Sequence, residues 1–295
     1  MSNSNSESPI NPLYKEKVHI AFLGWEIERI VRPFLEMKGN RLIIICFQKE
    51  REGAWAYYEE IKRQLEANGI KVEVIEASLH NLIDLLEVLN KVLQIETLKG
   101  NEIFINVSAG TKISACASTI AAMSVPGITA YYVNMQTYYP KDNPNFKLDN
   151  PLETLTTGFE KSVTLPECQI SVPDQKYIQT LHGIQMMKNE GHDKIYIKDL
   201  IEFLKRHDIL IVKENDEPRK KKSSEYMAMK KFIEKLVEWK YVTISPKKRN
   251  KFVEITDKGM NAIRMYLNYN LGKEDLKENK DKTVVDWIAY LGKRE

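Results

Sequence analysis

Five short runs rich in β-branched and aromatic residues punctuate the first half of the chain: "KVHIAFL" (17–23), "RLIIICF" (41–47), "IKVEVIEA" (70–77), "NEIFINV" (101–107) and "GITAYYVN" (127–134). Segments with helical periodicity lie between them. From Leu79 to Leu98, for example, Leu82, Leu85, Leu86, Leu89, Val92 and Leu93 recur on one helical face, and Trp55 to Ala67 has the same character. Strand and helix in alternation specify an α/β fold, a doubly wound and mainly parallel sheet with helices on both faces. An irregular stretch rich in Pro, Asn and Asp follows Tyr139, and "TLTTGFEKSVTLPE" (154–167) then adds an antiparallel edge strand or hairpin.

In the common strand order 3-2-1-4-5, the first and fourth strands are neighbours and the winding reverses between them. Ligands of such folds bind at that switch point, beyond the carboxyl ends of the strands. The loops leaving those two strands here are Gly24-Trp25-Glu26 and Ser108-Ala109-Gly110-Thr111-Lys112, which are expected to converge. Amides of Gly110, Thr111 and Lys112 would stand at a helix N-terminus, where partial positive charge attracts phosphate. The plainer reading makes Ser108 the cap of that helix and leaves Lys112 in solvent. Two familiar phosphate cradles are missing. No G-x-x-x-x-G-K-[ST] occurs, and "GWEIER" stands after the first strand in place of G-x-G-x-x-G.

Charge divides the chain unevenly. Residues 1–170 carry 17 Lys and Arg against 21 Asp and Glu, a net of −4, whereas residues 171–295 carry 27 against 20, a net of +7. Pro218 to Lys251 alone holds 12 basic and 3 acidic residues. A local basic excess of this kind is the footprint of a module that meets a polyanion.

The second half also has its own element order. Helices are expected at Gln175–Lys188, Ile197–His207 and Ser223–Lys240, followed by a hairpin in "YVTISPKKRNKFVEIT" and a closing helix from Asp257 capped by Thr256 or Asp257. Helix, helix, helix, hairpin, helix is a winged helix-turn-helix. Its third helix would enter the major groove of double-stranded DNA, with Ser224, Tyr226 and Lys230 on the outward face. Lys247, Lys248, Arg249 and Lys251 would form the wing, and Arg219, Lys220, Lys221 and Lys222 would precede the recognition helix, so both flanks are basic.

Other classes of chemistry find little support. The histidines (His19, His80, His182, His192 and His207) are scattered, and no spacing suggests a catalytic or metal-binding set. Cys46, Cys116 and Cys168 are odd in number and widely spaced, the first two in apolar segments expected to be buried, as in reduced cytoplasmic proteins. No apolar run reaches the roughly 20 residues of a membrane span. The domain division is then 1–16 as a disordered tail, 17–170 as the α/β domain, 171–270 as the winged helix and 271–295 as a helical tail with Val284, Trp287, Ile288 and Leu291 on one face.

The "NVSAGTK" turn after the fourth strand, the polar first loop and the C-terminal winged helix together resemble the CRISPR-associated Rossmann fold (CARF) regulators of archaea, over residues 17 to 270. The resemblance implies a homodimer with a shared pocket for a cyclic oligoadenylate, commonly the tetra-adenylate, as signalling ligand, and no resident cofactor. It implies transcription regulation in antiviral defense through paired winged helices on DNA. Family roles carry over to Gly24, Trp25, Glu26, Ser108, Ala109, Gly110, Thr111 and Lys112. An indole at Trp25 has two uses, stacking on adenine or filling the core, and Glu26 would meet a ribose hydroxyl or face away. Two alternatives stay open: a ring nuclease that slowly cleaves the cyclic ligand, and a dimeric regulator with no nucleotide ligand.

Overall fold

The computed structural model describes residues 15–47, 53–138, 152, 154–206, 218–245 and 251–267. Among these, one compact unit ends at Gln169 and a second begins at Ile170.

The first unit is built from β1 (Lys17–Phe22), α1 (Glu28–Glu36), β2 (Arg41–Cys46), α2 (Trp55–Glu66), β3 (Lys71–Glu76), α3 (Leu82–Leu98), β4 (Glu102–Asn106), α4 (Lys112–Ser124), β5 (Ile128–Tyr138) and β6 (Thr156–Thr164). The strands form one sheet in the order β3-β2-β1-β4-β5-β6, parallel except for the antiparallel β5–β6 edge pair. This is the doubly wound order expected from the sequence. β2 is buried along its whole length and β1 from Val18 onward, which explains their continuous apolar runs. On one face Ala21, Leu23, Leu42 and Ile44 pack against Ile30 and Phe34 of α1 and Ile61 and Leu65 of α2.

Local chemistry sets the helix starts. Leu79 and His80 stay outside α3 because Asn81 is its N-cap, accepting hydrogen bonds from the amides of Ile83 and Asp84. Glu16 is no part of a free tail: its carboxylate is 3.0 Å from the Arg41 guanidinium. Cys116, expected to be buried, is exposed on α4; Ser114, Ala117, Ser118 and Ala121 supply the inward face instead.

Among the buried polar residues of this core, Arg41 and His19 each gather several partners. Arg41 opens β2, at the end of the sheet opposite the carboxyl-end loops, and reaches Glu96 (2.5 Å), Glu16 (3.0 Å) and Glu73 (3.3 Å). His19 in β1 is stacked on Phe104 with ring centroids 4.9 Å apart, meets Phe34 edge-on, and shares a 3.1 Å hydrogen bond between Nδ1 and the Tyr131 hydroxyl.

The second unit contains α5 (Gln175–Asn189), β7 (Ile195–Tyr196), α6 (Ile197–Arg206), α7 (Pro218–Glu238), β8 (Val242–Ile244), β9 (Phe252–Ile255) and α8 (Asp257–Tyr266). Its small sheet has the order β7-β9-β8, so a two-residue strand joins the expected hairpin. Ile178, Leu181, Leu200, Leu204, Met229, Ile233 and Ile263 fill its separate core. Thr256 caps α8, accepting from the Gly259 amide at 3.1 Å while its hydroxyl donates to the Lys240 and Tyr241 carbonyls. This is a winged helix. α7 starts five residues before the expected Ser223, with Pro218 at its first position, where a missing N–H is harmless. Arg219, Lys220, Lys221, Lys222 and Ser224 therefore lie within the opening turns of the helix and not in a preceding loop. Lys247, Lys248, Arg249 and the 271–295 tail lie outside the described residues.

Candidate functional site

The two loops meet. A Cβ placed on Gly24 would stand 3.2 Å from the amide nitrogen of Gly110, so glycine at both positions lets the backbones touch. Gly110 is under a stricter demand, since φ is +86° and a Cβ there would come within 2.5 Å of the Phe22 Cβ and 2.7 Å of the Ser114 hydroxyl. No other residue type fits the turn without displacing β1.

Asn106, fully buried at the end of β4, organises the crevice. Its Oδ1 accepts from the Ser108 amide (3.0 Å) and hydroxyl (2.5 Å), and its Nδ2 donates to the Arg29 carbonyl at 2.8 Å. That carbonyl is available because Pro33, four residues further along α1, has no N–H to give it. Asn106 thus takes up the helix hydrogen bond that the proline cannot make. Ser108 in turn accepts from the Val133 amide at 3.2 Å, fastening the turn to β5.

Ser108, which the sequence offers as the helix cap, therefore has another task. The cap is Thr111: its hydroxyl accepts from the Ser114 amide (3.1 Å) and donates to the Leu79 carbonyl (2.9 Å), while the Ser114 hydroxyl accepts from the Thr111 amide at 2.8 Å. This reciprocal box removes Thr111 from the expected set of open amides. The amides of Lys112 and Ile113, at the first two helical positions, belong to those that helix geometry leaves without an intrahelical acceptor. Lys112 and Gly110 are exposed beside them, whereas Ala109 is buried in the core and Trp25 packs on the margin of the same cluster.

Glu26 does not face the crevice as a free carboxylate. It is 7% exposed, its Oε2 accepts from the Thr156 hydroxyl at 2.5 Å, and Oε1 lies 4.0 Å from Arg29. Burial pushes its carboxyl above the usual range, with Thr156 and Arg29 opposing the shift. Glu28 Oε2 accepts from the Gly158 amide at 2.8 Å, so two carboxylates pin the first loop and α1 to β6. Neither Arg29 nor Asn106 is singled out by sequence reasoning. Arg29 nevertheless stands in the quoted "GWEIER", and donates from its Nη1 to the Ser108 carbonyl at 3.2 Å.

In the winged helix, a groove is lined by Tyr196, Ile197, Lys198, Asp199, Tyr226, Met227, Lys230 and Lys251, so one carboxylate stands among its three lysines. Tyr226 is 48% and Met227 49% exposed, large side chains left in solvent beside three lysines. Tyr226 and Lys230 of α7 and Lys251 line this one groove, and β7 brings the start of α6, with Tyr196, Lys198 and Asp199, beside them. Among the described residues no group of three or more His, Cys, Asp or Glu could hold a metal ion, and no helix is long and apolar enough to cross a membrane.

Fold and crevice define a Rossmann-like α/β domain, with a polar switch-point turn, that precedes a winged helix. Residues 17–138 match the family model described as HFX_2341_N-like, N-terminal, and residues 179–266 match the DUF6293 C-terminal winged helix domain. The two matches follow one another along the chain, an α/β N-terminal domain type and then a winged helix domain type, and the expected C-terminal winged helix is borne out. An uncharacterized protein of Methanocaldococcus jannaschii is 27% identical over 124 residues, which is 39% of this chain and 37% of that protein. Among solved structures, protein VC1899 from Vibrio cholerae is similar with a TM-score of 0.35 and 12% identity, covering 84% of this chain and 64% of the other. Can2 from Sulfobacillus thermosulfidooxidans, in complex with cyclic tetra-adenylate, has a TM-score of 0.35 and 11% identity, covering 84% and 63%. The chain thus spans less than two thirds of the length of these proteins.

Proposed function

We propose that the chain is a ligand-responsive DNA-binding regulator, with a cyclic oligoadenylate, the tetra-adenylate first among them, as ligand of the α/β domain. The observation that carries the reading is the contact of the Gly24 loop with the Ser108–Lys112 turn at the switch point of the sheet. There the α4 N-terminus supplies two open amides and the Lys112 ammonium adds a full positive charge, a combination suited to phosphate. A homodimer completes the pocket, because a two-fold symmetric ring matches a crevice shared across a two-fold axis. The winged helix supplies the output through the lysines around α7 and the wing.

A ligand changes DNA affinity only when it binds one state of the protein better than another, and DNA then shifts ligand affinity by the same factor. Calorimetric titration of wild type and Lys112→Ala with cyclic tetra- and hexa-adenylate, with and without duplex DNA, checks this. Lys112→Ala is expected to weaken ring binding by about 1–3 kcal/mol, as for one charge-assisted hydrogen bond, and to leave ligand-free DNA binding intact. A wild type that binds neither ring removes the ligand half of the reading; linear products turn it into a ring nuclease.

The DNA half has its own test. Lys230→Ala and Lys251→Ala are each expected to weaken binding to a random-sequence duplex and to lower the slope of log affinity against log salt by about one. Unchanged slopes in both variants exclude this groove from the interface.

A further inference from the structure

The guanidinium of Arg29 is only half used. Nη1 donates to the Ser108 carbonyl and lies 4.0 Å from Glu26 Oε1, beyond hydrogen-bond reach, while Nε and Nη2 are buried with no acceptor. The side chain is 10% exposed. Unpaired donors on a buried charge are strongly unfavourable, so a fold that retains them calls for a specific explanation. The explanation lies in what surrounds them. Nη1 is anchored on the Ser108 carbonyl, in the turn that leads to the open α4 amides, so the guanidinium stands beside that turn. Glu26, the nearest carboxylate, already accepts from Thr156. Over the guanidinium, 5.5 Å away, lies the ring of Tyr138, which is 54% exposed and whose hydroxyl shares a hydrogen bond with that of Tyr132.

We propose that Arg29 is a second anion-reading residue of the crevice, taking two oxygens of a ligand phosphate on its Nε–Nη2 edge while the Ser108 carbonyl holds Nη1 and the Tyr138 ring moves aside. That edge presents two parallel N–H donors in a plane, the arrangement that grips a phosphate bidentately and that a lysine cannot imitate. The inference rests on the crevice being a phosphate site, as proposed above. It narrows the ligand to one whose phosphate has two free oxygens, as in a phosphodiester, and places that phosphate between Arg29 and the α4 N-terminus.

The test uses the full chain and two variants, Arg29→Lys and Arg29→Gln, with circular dichroism to establish that each is folded. Cyclic tetra-adenylate is titrated by calorimetry, and inorganic phosphate is titrated at constant ionic strength with the Tm as readout. Both variants are expected to weaken ring binding on the order of 10- to 100-fold and to lose most of the phosphate-induced rise in Tm. Arg29→Lys keeps the charge and loses only the fork, so it remains decisive even where Arg29→Gln fails to fold. Ring binding equal in wild type and Arg29→Lys overturns the role of Arg29 and leaves the cyclic-nucleotide reading standing. If the ring does not bind but phosphate raises the Tm of wild type and not of Arg29→Lys, Arg29 stands and the cyclic-nucleotide reading falls. No response of wild type to either probe overturns both.

Discussion

Replacing Arg41 by methionine is expected to lower the unfolding free energy by about 3–5 kcal/mol, the range seen when one partner of a buried ion pair is removed. Glu96 is fully buried and receives a 2.5 Å contact from Arg41; Glu73 is nearly as buried at 3.3 Å. Without the guanidinium these carboxylates keep only weaker support. Lys99 stays 3.6 Å from Glu96, Asn101 still donates to it at 2.7 Å, and the exposed Lys71 remains 2.8 Å from Glu73. Denaturant unfolding measures the loss. A double change, Arg41→Met with Glu96→Met, is expected to recover a large part of it, because apolar groups of similar volume often replace a buried pair with little penalty. A single variant within about 1 kcal/mol of wild type, the size of an exposed pair, would show that the pair is solvated. Since Arg41 lies at the strand ends opposite the crevice, the phosphate binding proposed for the crevice should be unaffected in the folded variant.

Acid should destabilise the α/β domain through His19. Burial, and secondarily the charge of Lys17, lowers its pKa from 6.5 to about 3. Between those values the unfolded chain binds a proton at this residue and the folded chain does not. Stability is therefore undiminished above pH 6.5 and falls as pH drops toward 3, by about 1.4 kcal/mol per pH unit from this group. Phenylalanine at position 19 preserves ring packing against Phe34 and Phe104 and cannot be protonated. The difference in unfolding free energy between His19→Phe and wild type, followed from pH 7 to pH 4, isolates the effect from that of every other titrating group. Parallel profiles for the two proteins would refute it.

Much of this architecture is legible in the sequence because it is written in local terms. Apolar runs of strand length alternating with one-sided helices specify a parallel sheet, and the basic hairpin with its Thr256 cap specifies a wing. The parts that escape depend on partners far away in the chain. Nothing near Glu26 announces Thr156, 130 residues later, and nothing near Ser108 announces that its carbonyl is taken by Arg29, 79 residues earlier. Ser108 and Thr111 are both good caps on propensity. The choice falls to Thr111 because Ser114 can answer it from within the helix, whereas Asn106 claims Ser108 first. β7 escapes for a different reason: two residues carry no periodicity, and only pairing with β9 makes them a strand.

The strand order also has a consequence for how the chain is made. β1 borders β2 on one side and β4 on the other, so one edge of this central, apolar strand has no partner until Glu102–Asn106 has been synthesised. At translation rates of about 5–20 residues per second, the chain between the end of β2 and the end of β4 takes on the order of 3–12 s to emerge. Throughout that interval the nascent sheet offers a bare hydrogen-bonding edge to any neighbouring strand. Arg41 meets the same delay, with Glu73 arriving in β3 and Glu96 only near the end of α3. The central strand is thus a point at which chaperone protection is expected to matter during biogenesis.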